Sequence, residues 1–340
     1  MKINRLDLLT ALEKVKPGLA DREIIEQSMS FAFLGGKIAT YNDEISITHP
    51  VTGLNLIGAV RAEELYKLLG KLEQDTIHIK VKENEMLIKS GNTKAGFTFY
   101  SEVKLPLEEV EDVNQWKDLP ENFTEALSFT SEATSSDMGS PIFSCVHVRK
   151  DGIMEATDNI RFTRYHLDTE FEDDFLLPSK SIKDLVKYPI KKIAQGQAWV
   201  HFKTDDETVF SCRIYEGEFP DADSVGILNV EGPNIEFPET FPEILDRASI
   251  FTKKNECEKG EVSIHIEANQ ITVMGKFDYG WFEEKADIKH DDPPLEFLVN
   301  SSFLKGMLGR MKSCIVGEQT IKFSGSNWEH VIALLSRTSE

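Results

Sequence analysis

The stretch "EATDNIRF" at 155–162 sets the carboxylate of Asp158 in a short polar cluster, with Arg161 three positions on. A carboxylate so placed can move a proton in catalysis, or it can hold a turn by accepting backbone N–H groups. The related phrase "IATYNDEI" at 38–45 makes the stretch part of a repeat, which favours the turn. Other chemistries fail on spacing. "LGGKI" hints at a phosphate loop, but Phe31 stands where the motif needs its first glycine and Ile38 where it needs Ser or Thr. The eight histidines form no HExxH or paired metal spacing, and no GxSxG is present. Asp173–Asp174 and Asp205–Asp206 lie in turn-like segments and read as solvated charge rather than as a catalytic acid pair. The residues therefore predict no enzyme, no metal and no cofactor.

The composition narrows the class. A chain of 340 residues suits two or three domains of about 100 to 150 residues each. Cys145, Cys212, Cys257 and Cys314 are scattered without close pairs, which predicts reduced thiols and a cytoplasmic setting. The start, "MKINRLDLLTALEKV", alternates charge and leucine at helical spacing and lacks the apolar run of a signal peptide. No apolar run approaches the roughly 18 residues of a membrane span, so no membrane partner is expected. A net charge of −20 excludes a surface that is basic throughout but allows a basic stripe on one face.

The elements that must position these residues are mostly strands. "MSFAFLGGKIATYN", "TIHIKVKENEMLIKS", "QAWVHFKTDDETVFSCRIYE" and "EVSIHIEANQITVMGKF" alternate or cluster β-branched and aromatic residues between polar turns. Six helices are predicted, near 6–16, 61–73, 120–133, 179–194, 239–251 and 301–312. One formula, a short apolar strand running into a helix and then a hairpin, occurs three times. It reads "LIGAVRAEELYKLLGKLEQDTIHIKV", "FLLPSKSIKDLVKYPIKKIAQGQAWVHF" and "EFLVNSSFLKGMLGRMKSCIVGEQTIKF", with Leu65, Ile182 and Leu304 in equivalent places. The period of about 120 residues divides the chain into domains at 1–115, 116–232 and 233–340. Each third is a doubled unit of helix over antiparallel sheet, with unpaired strands left at the two ends of the series.

With those pieces in order, the whole chain resembles the bacterial DNA polymerase III sliding clamp, or beta subunit, a divergent phage-borne version being the alternative for its origin. The likeness rests on "ATDNIRF", "LPSKSIKDLVK", "EGEFPD" and "FLVNSSFLKGML" at the right separations. It implies an α+β fold of three similar DNA-clamp domains, closed head to tail by a second copy into a ring with helices inside and sheets outside. It also implies a non-enzymatic processivity factor that encircles double-stranded DNA without reading sequence and tethers a replicative DNA polymerase. A separate clamp loader is implied as a further partner. The competing reading is an acidic clamp-like decoy that captures replication partners without encircling DNA.

By the resemblance, Arg22, Lys180, Lys187 and Arg213 fall on basic positions that face DNA, and spacing adds Lys305, Arg310 and Lys312. Lys183, Lys191 and Lys192 crowd the same middle helix, whereas Glu63 and Glu64 stand where the family is basic. A partner-peptide pocket is implied at Thr157, Asn159, Ile160, Arg161, Phe162, Pro220, Val225, Asn300, Phe303, Val331, Ala333, Leu334 and Leu335. The subunit interface is implied at Phe97 and Phe99 against Ile250 and Phe251, with Lys94 facing Asp278, Glu283 and Glu284. Ordinary core packing for the aromatics and plain solvation for the lysines remain the bland alternatives.

Overall fold

The computed structural model describes residues 1–110, 113, 115–137, 139–252, 254–255 and 258–335, and Cys257 lies outside them. One order of elements recurs six times among the described residues: a strand, a helix, then three strands. It opens with β1 (Lys2–Asn4), α1 (Arg5–Val15), β2 (Ser30–Leu34), β3 (Lys37–Tyr41) and β4 (Ile45–Pro50). It returns as β5 (Ile57–Arg61), α2 (Ala62–Lys71), β6 (Thr76–Lys82), β7 (Glu85–Ser90) and β8 (Thr93–Thr98). The middle third begins with β9 (Lys117–Asp118), α3 (Phe123–Ser131), β10 (Cys145–Val148), β11 (Ile153–Thr157) and β12 (Arg161–His166). It continues with β13 (Phe175–Pro178), α4 (Ser179–Leu185), β14 (Ile190–Gln195), β15 (Trp199–Thr204) and β16 (Val209–Arg213). The last third starts with β17 (Asn234–Glu236) and α5 (Phe241–Ser249), followed by an added hairpin, β18 (Lys254–Asn255) and β19 (Glu258–Lys259). After it come β20 (Glu261–Glu267), β21 (Gln270–Phe277) and β22 (Gly280–Asp287). The sixth unit is β23 (Leu295–Asn300), α6 (Ser301–Leu308), β24 (Ser313–Val316), β25 (Thr320–Ser324) and β26 (Trp328–Ala333).

Helices α1 and α6 form where an apolar stripe and a side-chain cap coincide. Asn4 caps α1, its Oδ1 accepting from the N–H groups of Leu6 (2.8 Å) and Asp7 (3.2 Å), and Leu8, Ala11, Leu12 and Val15 make the buried stripe. Asn300 caps α6 in the same way. Leu65, Ile182 and Leu304, matched by the sequence period, are all at most 1% exposed. The expected helix over 179–194 stops at Leu185. Pro189 disfavours helical backbone at the residue before it and donates no N–H, and β14 starts at Ile190, so Lys191 and Lys192 are exposed on a strand instead of a helix.

The chain divides into two compact units, each a terminal third plus half of the middle third. The first, 1–128 with 148–151 and 168–216, holds a four-stranded sheet, β1–β6–β7–β8, and an eight-stranded one, β5–β2–β3–β4–β16–β15–β14–β9. Here α1 packs on α2, and the interior is filled by Phe31, Phe33, Trp199, Phe202 and Phe210. Middle and first thirds merge because β4 pairs with β16, from Ile45 opposite Cys212 to Thr48 opposite Val209.

The second unit, 129–147 with 152–167 and 217–340, carries the order β10–β11–β12–β26–β25–β24–β17 and a four-stranded sheet, β22–β21–β20–β23. The merger is repeated: β12 pairs with β26, Phe162 opposite Val331 and Tyr165 opposite Trp328. Phe129 anchors this core against Trp328, ring centroids 5.1 Å apart. β8 ends one four-stranded sheet and β22 ends the other.

Candidate functional site

The turn between β11 and β12 is built by its own side chains. Asp158 Oδ1 accepts from the N–H groups of Ile160 (3.0 Å) and Arg161 (2.6 Å), and Thr157 Oγ1 donates to the Arg161 carbonyl at 2.6 Å. Asn159 takes the left-handed backbone, φ +68°, that this turn requires and that Asn tolerates better than most side chains. The carboxylate is fully used: Asp158 Oδ2 pairs with the Arg161 guanidinium at 2.8 Å. Arg161 in turn lies over the Phe303 ring, 3.9 Å from its centroid. Asp158 is thus the hub of a turn. Cys145 and Cys314 are no better placed as nucleophiles, since burial pushes their thiols up to about 11 and about 12.

Beside the turn a cavity of about 240 Å³ opens within the second unit. Thr157, Asn159, Ile160, Arg161, Phe162, Pro220, Val225, Val331 and Ala333 all border it, and its walls are mainly apolar. Phe162 is only 2% exposed and faces the cavity from the sheet, whereas Ile160 and Val225 stand out at 39% and 74%. Asn300, Phe303, Leu334 and Leu335 are not on the wall. Asn300 caps α6, Phe303 supports Arg161, and Leu335 pairs its backbone with Leu298. Unanticipated lining comes from Phe143, Phe219, Asp221, Ala222, Ile227 and Thr320.

Sequence reasoning also missed what holds the cavity wall. Arg164, 7% exposed, donates from Nε to Glu155 Oε1 at 2.6 Å and pairs through Nη1 with Asp223 at 2.7 Å. Glu155 and Arg164 stand directly opposite in the β11–β12 hairpin. Asp223 belongs to the segment that carries Pro220 and Val225, so one buried guanidinium ties that segment to the sheet. Hairpin register arithmetic from the turn would have found the pair.

The basic residues are distributed over both units. Arg22 and Lys180 border one open depression of about 690 Å³ in the first unit, together with Asp21, Asp43, Glu44 and Asp184. Lys180, Lys183 and Lys187 share the exposed face of α4 and the turn after it. Lys180 pairs with Glu44 at 2.8 Å, and Lys187 with Asp184 at 2.6 Å. In the second unit Lys305 pairs with Asp246 (2.5 Å), Arg310 with Glu132 (2.8 Å) and Lys312 with Glu239 (2.7 Å). Such exposed pairs contribute about 0 to 1 kcal/mol each and exchange readily for another anion. Arg213 differs. It is fixed from Nε to the Asp43 carbonyl (2.7 Å) and from Nη2 to the Tyr41 hydroxyl (3.0 Å), and it lies over Trp199.

At the free sheet ends, Lys94 is exposed and Phe97 half-buried on β8, but Phe99 is 3% exposed and belongs to the interior. Ile250 is 56% exposed, and Phe251 is half-buried, stacked 6.0 Å from Phe282. Asp278 and Glu283 are exposed, whereas Glu284 is already held by Arg247 at 2.6 Å.

Solved structures with this arrangement exist. The DNA polymerase III beta chain of Streptococcus pneumoniae superimposes with a TM-score of 0.86 at 17% identity, over 98% of this chain and 99% of that one. The beta subunit of Pseudomonas aeruginosa gives 0.82 at 18%, and the DnaN sliding clamp of Bartonella birtlesii, bound to griselimycin, 0.85 at 18%, each over 99% of both chains. The fold is that of the bacterial sliding clamp. No protein-family model matches the sequence, and no curated protein matches it either. The three-domain clamp fold matches the sixfold recurrence of element order, two units to each third.

Proposed function

We propose that the chain is a non-enzymatic DNA sliding clamp of the cytoplasm, with domains at 1–115, 116–232 and 233–340. The observation that carries this is the pattern of strand pairing. In each merger, the last strand of a third's first half, β4 or β12, pairs with the last strand of the next third's second half, β16 or β26. β22 and β8 are the members of that series left at sheet ends. The same rule applied once more pairs β22 of one copy with β8 of another, a heterologous contact that closes when two copies meet head to tail. Exposed Lys94 on one side and Asp278 and Glu283 on the other support that pairing electrostatically.

A closed ring of two chains that each carry a net charge of −20 holds DNA only if its cations face inward. Lys180, Lys183 and Lys187, with Arg22 beside them, and Lys305, Arg310 and Lys312 in the last third are the proposed contacts to phosphate. No base-specific partner is needed, so contact is uniform along the duplex and sliding is permitted. The cavity beside Asp158 is the proposed seat of a partner peptide from a replicative polymerase or a clamp loader. Griselimycin, held by the Bartonella relative, is proposed as its probe.

The deciding experiment loads the protein on a nicked circular plasmid with a bacterial clamp loader and ATP, and isolates the complex by gel filtration. Retention on the circle with release after a single linearising cut is expected. Equal retention on circular and linear DNA, or none on either, refutes encirclement and leaves the decoy reading.

A further inference from the structure

β22 and β8, the strands left at sheet ends, have counterparts in both internal mergers, and the turns beside them fix which residue matches which. Asn42 donates its N–H to the Ile45 carbonyl (3.0 Å) and Asp158 to that of Arg161 (3.3 Å), and Phe277 stands opposite Gly280 across the β21–β22 turn. Each turn sets two residues between its partners, so Ile45, Arg161 and Gly280 occupy one position. The other strand is matched in the same way. Gly196 donates to the Trp199 carbonyl (2.8 Å) and Gly317 to that of Thr320 (2.9 Å), and Lys82 stands opposite Glu85. The next residues, Val200, Ile321 and Met86, are all 0% exposed and face Cys212, Ile332 and Phe97. In the mergers Ile45 pairs with Cys212 and Arg161 with Ile332. The third member of the series is therefore Gly280 with Phe97 of another copy.

Antiparallel pairing carries that register on to Trp281 with Gly96, Phe282 with Ala95 and Glu283 with Lys94. The pairs suit one another chemically. Trp281 is 70% exposed on β22, and a glycine in an edge strand leaves bare backbone that a cross-strand aromatic ring covers. The exposed Glu85 side chain lies over Gly96, and its carboxylate offers an acceptor to the indole N–H. Small Ala95 leaves room for Phe282, whose ring stacks on Phe251. Lys94 faces Lys89 within its own sheet, a like-charge pair that weakens the edge until an acid stands on its other side. Glu283 supplies that acid. A slip by two residues keeps the faces but sets Lys285 or Trp281 opposite Lys94, and in either case takes Glu283 off its lysine and Trp281 off its glycine.

We propose that two copies join with Trp281 of one laid across Gly96 of the next and Glu283 opposite Lys94, a single register fixed by an aromatic ring and a glycine. This rests on the head-to-tail closure proposed above and names the residues that select a second copy of this chain. The edge of β8 accepts a strand that carries a tryptophan and, two residues on, an acid; a strand without them is held less tightly.

Cysteine pairs in the full chain read the register, with the parent as the background for the native cysteines. Under mild oxidation Lys94→Cys with Glu283→Cys is expected to give covalent dimers, because opposite residues have Cβ atoms about 5 Å apart. Lys94→Cys with Lys285→Cys is expected to give roughly tenfold fewer, because diagonal neighbours lie about 7 to 8 Å apart, beyond the reach of a disulfide. Equal yields, or more from the Lys285 pair, overturn the register. Trp281→Ala is expected to raise the dimer dissociation constant in sedimentation by about tenfold or more, with the circular dichroism of the parent retained because this side chain is exposed. An unchanged constant overturns the role of Trp281. If the parent sediments as a dimer yet the Glu283 pair does not cross-link above the Lys285 pair, the closure stands and the register falls. If the parent stays a single chain at every concentration, the closure falls and the register with it.

Discussion

Arg164 shows how much of the candidate site depends on a residue that touches no cavity. It is buried against Glu155 and reaches Asp223, so replacing it leaves a carboxylate at 2% exposure without its cation. Arg164→Met should lower unfolding stability in urea by about 3 to 5 kcal/mol, the usual cost of breaking a buried pair from one side. Arg164→Lys should recover part of that, because the charge returns but the two-direction fork does not. At this scale the sequence was legible where local chemistry decides. Asp158 as a turn-former followed from its residue type and neighbours, and the hydrogen bonds to Ile160 and Arg161 bear it out. The Glu155–Arg164 pair follows from hairpin register, but the tie from Arg164 to Asp223, 59 positions away, was hidden.

At the scale of elements, both sheet mergers bury histidines among hydroxyl groups. His330 on β26 lies opposite Thr163 on β12 with its Nδ1 2.7 Å from the Thr163 hydroxyl, and His49 on β4 approaches Thr208 Oγ1 at 2.8 Å. Burial, then the Arg161 and Arg310 guanidinium groups, holds His330 down at about 3 from an ordinary 6.5, and chiefly burial lowers His49 as well. The unfolded chain therefore takes up these protons first. Stability is complete above about pH 6.5 and falls as the pH drops towards 3, by up to about 1.4 kcal/mol per pH unit for one such histidine. Urea midpoints measured from pH 7 to pH 5 should decline, and His330→Gln should flatten part of that decline; an unchanged slope would mean that His330 does not titrate against the fold. Strand alternation made these strands readable, and apolar spacing with end residues did the same for α1 and α6. The end of α4 was not readable from spacing, because Ile182, Leu185, Ile190 and Ile193 keep a helix-like rhythm through Pro189 while the backbone changes from helix to strand.

For the whole molecule, period and pattern carried the fold class far, since a unit that recurs every third of the chain leaves few arrangements that bury all its faces. Which strands lie unpaired was not legible, as it depends on pairings between residues more than 160 apart, such as Ile45 with Cys212. The proposed function makes a charge prediction at this scale. Lys180→Glu with Lys187→Glu should leave the fold and the cavity unchanged, because both side chains are exposed, yet cut the lifetime on circular DNA at least tenfold. Gel-filtration retention at 50 mM and 200 mM salt measures this, and equal lifetimes for parent and variant would remove these lysines from the DNA-facing surface.

The acids beside the candidate DNA contacts carry a consequence of their own. Under the proposed function, Lys180, Lys187, Lys305, Arg310 and Lys312 would each meet the duplex already paired with a carboxylate of the same chain. A phosphate that arrives displaces a tethered counterion in place of a dissolved one, so fewer salt ions are set free per contact and attraction weakens less steeply with ionic strength than the number of cations suggests. When the phosphate moves on, the waiting carboxylate takes its place at once. Under that reading, these local exchanges between phosphate and carboxylate set the friction along the helix.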